Sequence, residues 1–362
     1  MGAVKQVIMR KNSPRNKFRF IVPLVISIFL LLSANSFADN ILSSSVVVLD
    51  ASTGKMLYAK NPSLRRPPAS TTKLMTSIIA VENTNLSGQA TISRNASHVQ
   101  PHKAGFKEGD QVTVEQLLYA ALLGSANDAA VALSETVAGS EEKFVALMNN
   151  KAIDIGAEDT RFVNSNGLPG DFQYTTAYDL AKIMRYALKY QTLRDIIGTR
   201  VTDITTENGN SIFLKNTNRL LWSEEDILGG KTGYTRKAMH CFVCAAERNN
   251  RTVIVAILGS PSRDNLWKES EMLISKGFEL LENNEEPVIY TTYTDSDLYA
   301  DVNEKKINLN KKAKRHTKIL AKKKSGHKML AEKRGKTYLK SKQYKKKNYN
   351  LVAKRRSEKA KG

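Results

Sequence analysis

Apolar residues between positions 39 and 283 follow two different periods. Short β-type runs stand near both ends of this region, and a long block between them has apolar residues at helical spacing. Strands at both ends with helices between them predict an α+β fold, in which the chain leaves one antiparallel sheet and later rejoins it. The predicted strands are Ser45–Leu49, Met56–Ala59, Asp226–Tyr234, His240–Ala246 and Thr252–Gly259, and the predicted helices are Thr71–Val81, Val114–Leu123, Ala126–Val137, Glu141–Ile153, Ala177–Leu188 and Asn265–Leu281.

Basic residues are concentrated at the two ends of the chain. Of the net charge of +21, residues 1–38 contribute +6 and residues 311–362 contribute +20, because the latter hold 22 basic and two acidic residues. Residues 39–310 therefore carry −5. The mildly acidic middle argues against a nucleic-acid-binding fold.

The first 38 residues have the pattern of a secretory signal peptide. Basic residues precede an apolar run from Phe20 to Leu32, and Ser36-Phe37-Ala38 follows, which predicts cleavage after Ala38. A membrane anchor is the alternative, although the run is shorter than the ~20 residues that span a bilayer. We therefore expect an exported protein, in the periplasm or at the outer face of the cytoplasmic membrane.

The globular pattern ends near Asn283. Residues 284–310 are predicted to be a linker, and residues 311–362 a lysine-dominated tail that is too polar to order itself. An anionic membrane surface or an acidic wall polymer is the expected partner of this tail. A solvated tail without a fixed partner is the alternative, and export argues against nucleic acid.

The two cysteines, Cys241 and Cys244, lie in a predicted strand. Side chains three positions apart on a strand point to opposite faces and are ~10 Å apart, beyond the ~7 Å limit for a disulfide. We therefore predict two small buried residues and neither a disulfide nor a redox pair.

Several common kinds of catalytic site are missing from residues 39–283. This region has three histidines and no His or Cys cluster with metal-ligand spacing, so no metal and no cofactor is expected. The Gly-Lys-Thr that ends at Thr232 is not a phosphate-binding loop, since Glu225 stands where the first glycine is required.

Of four Ser-x-x-Lys sequences, only Ser70 to Lys73 lies where a buried helix is predicted to begin. Residues three apart on a helix share a face, so the Lys73 amine can reach the Ser70 hydroxyl. The N–H groups at a helix N-terminus favour an oxyanion. Lys73 can accept a proton only if burial or a nearby cation lowers its pKa. An N-capping serine beside a surface lysine is the alternative.

Two further motifs favour the catalytic interpretation. Ser125-Ala126-Asn127 opens a predicted helix, and Lys231-Thr232-Gly233 occurs once, on a predicted strand. With these motifs the chain resembles the low-molecular-mass penicillin-binding proteins, the serine-type D-alanyl-D-alanine carboxypeptidases of peptidase family S11. The stretches that carry the resemblance are Pro68–Thr76, Gly124–Ala130, Asn166–Leu168, Tyr174–Ala177 and Lys231–Thr235.

This resemblance implies a catalytic domain over residues 39–283, with an antiparallel sheet flanked by helices and an all-helical insert. It implies removal of the terminal D-alanine from peptidoglycan stem peptides through an acyl-enzyme, and covalent inhibition by β-lactams. The implied roles are Ser70 as nucleophile, Lys73 as general base, Ser125 as proton relay, Asn127, Lys231, Thr232, Gly233 and Tyr234 in substrate binding, and the backbone N–H groups of Ser70 and Tyr234 as the oxyanion hole.

Three positions differ from the residues that are usual in this family. Leu266 stands where an arginine often assists the substrate carboxylate, with Arg263 as a candidate substitute, Met239 replaces a glycine and Gln173 replaces a histidine. A DD-endopeptidase and a β-lactamase remain alternatives, although no counterpart of the β-lactamase water-directing glutamate is evident between Gly156 and Gly170. A non-enzymatic wall- or membrane-binding protein would require all three motifs to be accidental.

Overall fold

The structure is a computed structural model that describes residues 41–292. The predicted signal peptide, the predicted linker beyond residue 292 and the basic tail lie outside the described residues. The strands are β1 (Ser45–Asp50), β2 (Met56–Lys60), β3 (Gln89–Thr91), β4 (Gln111–Thr113), β5 (Val201–Thr205), β6 (Ser211–Lys215), β7 (Ile227–Thr235), β8 (Met239–Arg248), β9 (Arg251–Ser260) and β10 (Val288–Tyr290).

Six of these strands form the main sheet, in the order β10-β2-β1-β9-β8-β7. Strands β2, β1, β9, β8 and β7 pair antiparallel in succession, and β10 pairs parallel with β2. The chain enters the sheet through β1 and β2, leaves it for the helical block, and returns through β7. The predicted α+β fold is confirmed.

Helices follow the 3-10 turn Ala69–Thr72. They are α1 (Lys73–Asn83), α2 (Arg94–His98), α3 (Val114–Leu122), α4 (Asn127–Ala138), α5 (Glu141–Asp154), α6 (Ala177–Ala187), α7 (Gln191–Gly198), α8 (Leu220–Ser223) and α9 (Arg263–Glu282). Side-chain caps begin several of them. Thr113 and Gln116 form a capping box at the start of α3, and Ser262 accepts a hydrogen bond from Asn265 N at the start of α9.

Both faces of the sheet are buried, which explains why its central strands are nearly continuous apolar runs. In β1, Val47 and Leu49 pack with the helical block, whereas Val46 and Val48 pack with α9. Successive strand residues point to opposite faces, so one six-residue strand contributes to both cores. The helix α1 lies in the first core, with every residue from Lys73 to Ala80 buried.

Cys241 and Cys244 are both buried and unpaired, as predicted. Cys241 belongs to the core under the helical block, and Cys244 belongs to the core under α9. Burial raises the pKa of the Cys241 thiol to about 11, so it is not a reactive thiolate at neutral pH. Among the described residues, no helix combines the length and apolarity needed to cross a bilayer.

Several short elements were not predicted. The ribbons β3–β4 and β5–β6 are half-exposed, with one buried residue in each strand. Strand β10 lies within the segment predicted as a linker, where Val288 and Ile289 are exposed. Its three residues extend the sheet seven positions beyond Asn283 by hydrogen bonding, without a buried apolar pattern that the sequence could display.

Candidate active site

Ser70 lies in the 3-10 turn that leads into α1. The sequence pattern predicted a helix from Thr71, whereas the α-helix begins at Lys73. In a 3-10 turn, side chains three positions apart eclipse one another, which suits an interaction between Ser70 and Lys73. Just before the nucleophile, Ala69 has a left-handed backbone with φ of +49°. Such a conformation is strained for a residue with a Cβ and must be held by its surroundings.

Two glycines hold this turn from either side. A Cβ on Gly167, whose φ is +85°, would lie 1.9 Å from the carbonyl oxygen of Ala69. A Cβ on Gly233, in β7, would lie 2.9 Å from the Ser70 nitrogen. Both residues must be glycine because backbone packs directly against backbone here. The turn with Ser70 is therefore clamped between β7 and the loop at Gly167.

Lys73 is fully buried, and its amine has three oxygen partners. It lies 3.1 Å from Ser70 Oγ, 2.7 Å from Asn127 Oδ1 and 2.7 Å from the carbonyl oxygen of Asn166. Burial lowers the pKa of Lys73 well below its usual value, the charge of Lys231 lowers it further, and Asp128 opposes the shift. Lys73 therefore meets the condition for accepting a proton, since both burial and a nearby cation lower its pKa.

Asn127 is the first residue of α4 and is buried. Its side-chain amide donates to the carbonyl oxygen of Pro101, which fixes the orientation that presents Oδ1 to Lys73. The helix terminus is further anchored by Asp128, which accepts hydrogen bonds from the backbone N–H groups of Ala104 and Gly105. The SxN motif and the Ser-x-x-Lys motif thus meet at the Lys73 amine.

Ser125 lies two residues before Asn127, half-buried and with a left-handed backbone (φ +57°). That conformation separates α3 from α4, so Ser125 lies in the turn that leads into α4. Within residues 41–292 its hydroxyl makes no hydrogen bond. The structure therefore places Ser125 beside Asn127 and leaves its hydroxyl available to a ligand.

Lys231 lies on β7, and its side chain is also fully buried. Its amine donates to the carbonyl oxygen of Thr232 at 3.0 Å. Burial lowers the pKa of Lys231 to about 7. The described part of the chain shows no ion pair for Lys231, so the second lysine of the site acts on Lys73 as an uncompensated cation when protonated.

The outer end of β7 is more open. Thr232 Oγ1 donates to Thr217 Oγ1 at 2.7 Å, and Tyr234 is 56% exposed. The Tyr234 ring stacks on His240 of the neighbouring strand at 4.5 Å. Burial and the charge of Arg263 lower the pKa of His240, which places Arg263 near this end of the site.

The predicted site residues therefore converge from three parts of the chain, which are the 3-10 turn with the start of α1, the start of α4 and strand β7, and the loop at Asn166 joins them through its contact with Lys73. Within residues 41–292, no group of His, Cys, Asp and Glu side chains could hold a metal ion. A model of the D-alanyl-D-alanine carboxypeptidase family matches residues 33–262, which is more than half of the chain.

The chain belongs to this family.

The predicted resemblance to the S11 penicillin-binding proteins is thus confirmed. The D-alanyl-D-alanine carboxypeptidase DacF of Bacillus subtilis is 34% identical over 223 residues, which cover 60% of this chain and 57% of that protein. The D-alanyl-D-alanine carboxypeptidase of Streptomyces sp. strain K15 is 35% identical over 245 residues, which cover 63% of this chain and 84% of that protein. The chain thus spans little more than half the length of the B. subtilis relative.

Solved structures of this family have the same fold. The crystal structure of the Streptomyces K15 DD-transpeptidase superposes with a TM-score of 0.64 at 33% identity and covers 66% of this chain and 98% of that one. A D-alanyl-D-alanine carboxypeptidase from Mycobacterium tuberculosis superposes with a TM-score of 0.63 at 30% identity and covers 66% of this chain and 91% of that one.

The structure shows the environment of the three residues that differ from those usual in the family. Leu266 is buried in the core under α9, so it cannot face substrate, whereas Arg263 is exposed at the start of the same helix. Met239 has a φ of +62°, which explains why glycine suits this position. Gln173 accepts a hydrogen bond from Val163 N and donates one to the carbonyl oxygen of Leu168, and so braces the loop that carries Asn166 and Gly167.

The sequence did not single out several residues that shape the site. Thr217 contacts Thr232 from the end of the β5–β6 ribbon, and Asp128 acts on the Lys73 pKa. The Asn166 carbonyl binds the Lys73 amine although its own side chain accepts from Leu168 N. Of these residues, only Asn166 and Asp128 could have been indicated by the sequence, because they lie in stretches that resemble the family.

Proposed function

We propose that the protein is a serine-type D-alanyl-D-alanine carboxypeptidase, which removes the terminal D-alanine from peptidoglycan stem peptides through an acyl-enzyme. The observation that carries the proposal is the Lys73 amine, fully buried, with a lowered pKa and 3.1 Å from Ser70 Oγ. A neutral amine in this position can take the serine proton without a histidine.

In the first half of the reaction, Ser70 Oγ attacks the carbonyl carbon between the two D-alanines while Lys73 accepts its proton. The backbone N–H groups of Ser70 and Tyr234 hold the oxyanion. The close approach of β7 to the turn at Gly233 supports this role, because it brings the two backbone segments together. The C–N bond then breaks, and the departing nitrogen receives the proton through Ser125.

Binding the substrate falls to the remaining residues. Asn127 holds the substrate's peptide amide and orders the two lysines, which its 2.7 Å contact with Lys73 supports. Lys231 supplies positive charge for a peptide that ends in a free carboxylate, and Thr232 helps to hold that carboxylate, with Gly233 and Tyr234 continuing the strand. Water then hydrolyses the ester, returning a proton to Ser70 and leaving the shortened stem as a carboxylate.

A cleft next to the Ser70 turn suits the remainder of the stem peptide. It has a volume of about 410 Å³ and lies against Gly167, Gln173 and Thr235, beyond the Ser70 turn. β-Lactams would acylate the same serine and act as covalent inhibitors. We further propose export to the periplasm or the outer face of the cytoplasmic membrane, and an anionic membrane surface or acidic wall polymer as the partner of the basic tail.

The full-length protein tests the proposal in two assays. Wild type should be labelled covalently by fluorescent penicillin and should release D-alanine from a stem pentapeptide. Ser70→Ala should lose both, whereas Ser52→Ala, in an exposed Ser-x-x-Lys sequence, should keep both. Absence of penicillin labelling in wild type, or labelling of Ser70→Ala at the wild-type rate, would reject the proposed chemistry.

A further inference from the structure

The Lys73 amine has more oxygen partners than a neutral amine can donate to. A protonated amine has three N–H groups and can donate to Ser70, Asn127 and Asn166 together. A neutral amine has two N–H groups and one lone pair. The Asn127 amide oxygen and the Asn166 carbonyl oxygen can only accept hydrogen bonds, so they take both N–H groups. The lone pair of the neutral amine is then left for the Ser70 hydroxyl.

These two acceptors are held in different ways. The Asn127 side chain is fixed by its own hydrogen bond to the carbonyl oxygen of Pro101. The Asn166 acceptor is a backbone group in the loop between α5 and α6, so its position depends on the contacts that hold this loop. The direction of the Lys73 lone pair therefore depends on the loop as well as on Asn127.

Ser165, the residue before Asn166, is fully buried, and all three of its polar groups are hydrogen-bonded. Its backbone N–H and its hydroxyl donate to the Glu141 carboxylate, at 2.9 and 2.6 Å. Its carbonyl oxygen accepts from Thr76 Oγ1 at 2.5 Å. Thr76 lies three residues after Lys73 on α1, and residues three apart share a helix face. One face of α1 thus binds the consecutive carbonyls of Ser165 and Asn166, while Glu141 holds Ser165 from the start of α5.

Glu141 lies on a well-anchored element. It is the first residue of α5, whose Phe144 and Met148 are buried in the core under the helical block. Both hydrogen bonds from Ser165 end on the same carboxylate oxygen, Oε1. Within residues 41–292 this carboxylate forms no ion pair, so the two bonds to Ser165 are its only polar contacts there.

We propose that Glu141 is a positioning residue for the general base Lys73. By holding Ser165, it keeps the Asn166 carbonyl on one N–H group of the neutral amine. The lone pair then faces the Ser70 hydroxyl and can accept its proton. This inference rests on the proposed function. It requires an acceptor oxygen at position 141 and not a charge, because both contacts are hydrogen bonds to a single oxygen.

The rate at which fluorescent penicillin acylates Ser70 in the full-length protein tests the inference. Glu141→Ala removes both hydrogen bonds and should slow acylation ~10–100-fold, because a displacement of about 1 Å in a catalytic group can cost ~10²-fold. Glu141→Gln keeps an amide oxygen that can accept the same two bonds, so it should restore the rate to within about threefold of wild type.

Asn149→Ala is the matched control for loosening of the loop. Asn149 is also on α5, and its side chain makes two hydrogen bonds to the backbone of Phe162, earlier in the same loop. Its loss should lower the Tm about as much as Glu141→Ala does, since each variant removes two hydrogen bonds to the loop. Acylation should stay within about threefold of wild type, because the control leaves the contacts of Ser165 in place.

A rate near wild type in Glu141→Ala would overturn the inference. Equal slowing in Glu141→Gln would assign the effect to charge, and equal slowing in Asn149→Ala would assign it to general loosening, so either result overturns the inference too. If Glu141→Ala does not fold, Ser165→Ala takes its place. That variant loses only the hydroxyl bond to Glu141 and should slow acylation at least about threefold, and an unchanged rate would again overturn the inference.

D-alanine release from a pentapeptide, measured in parallel, separates this inference from the proposed function. A wild type that is labelled and releases D-alanine, with Glu141→Ala equally active, rejects the role of Glu141 and leaves the carboxypeptidase intact. A wild type that is inactive in both assays rejects the proposed function and, with it, this inference.

Discussion

Replacing Lys231 by methionine should stabilise the fold and damage the site at the same time. The buried amine has its pKa lowered from 10.5 to about 7 by burial alone. One pKa unit corresponds to ~1.36 kcal/mol, so keeping this lysine charged in the native state costs about 5 kcal/mol relative to the unfolded chain. The substitution removes that penalty but also removes the hydrogen bond to the Thr232 carbonyl. We expect a net gain of about 2–4 kcal/mol in the free energy of unfolding near pH 6.

The lowered pKa of Lys231 also makes the free energy of unfolding depend on pH. Between about pH 7 and 10.5 the unfolded chain binds a proton at Lys231 that the native protein has released, so wild-type stability rises with pH across this window. Lys231→Met lacks this contribution, which amounts to ~1.4 kcal/mol per pH unit. Its advantage over wild type should therefore be largest below pH 7 and shrink as the pH approaches 10.5.

Urea unfolding of both proteins at a series of pH values measures the effect, with Lys237→Met as an exposed control close in sequence. A variant less stable than wild type near pH 6, or one whose stability rises with pH as steeply as that of wild type, would refute the reasoning. Acylation by penicillin gives a second readout. Because the charge of Lys231 helps to lower the pKa of Lys73, the acid limb of the acylation profile should move to higher pH in Lys231→Met.

Other substitutions test the remaining parts of the site. Lys73→Ala should slow acylation by fluorescent penicillin by ~10²–10⁴ while the circular dichroism spectrum stays native, and a rate near wild type would exclude Lys73 as the base. Gly167→Ala should lower both the Tm and the labelling rate, because its Cβ would lie 1.9 Å from the Ala69 carbonyl oxygen. Gly156→Ala is the matched control, since Gly156 has a similar φ of +75° in open space; equal losses in the two variants would show that backbone strain alone matters.

The main sheet and the long helices could be predicted because each buries a periodic apolar face. Strand β10 could not, since it is held by backbone pairing with β2 while Val288 and Ile289 remain exposed. The β5–β6 ribbon was missed for the same reason, with a single buried residue in each strand. A local pattern of apolar residues indicates which side chains are buried. These strands are held by backbone hydrogen bonds instead, which such a pattern does not show.

At the site, the sequence motifs select the candidate residues, but they do not specify the environment of those residues. The motif spacing indicated that Lys73 could reach Ser70, but only if burial or a cation lowered its pKa, and the fold provides both. The carbonyl of Asn166 could not be predicted as a partner of Lys73, because every residue of the chain has the same backbone carbonyl group. The left-handed Ala69 likewise follows from packing against Gly167 and Gly233.

Strand β7 is the last strand of the main sheet, so its outer side has no strand partner among residues 41–292. A sheet edge of this kind can accept an extended peptide through main-chain hydrogen bonds, whose strength does not depend on side-chain identity. A substrate aligned along β7 would thus be selected by the shape and handedness of its backbone. Stems that differ in their side chains could share one catalytic strand, and selectivity among them would fall to the surfaces at its two ends.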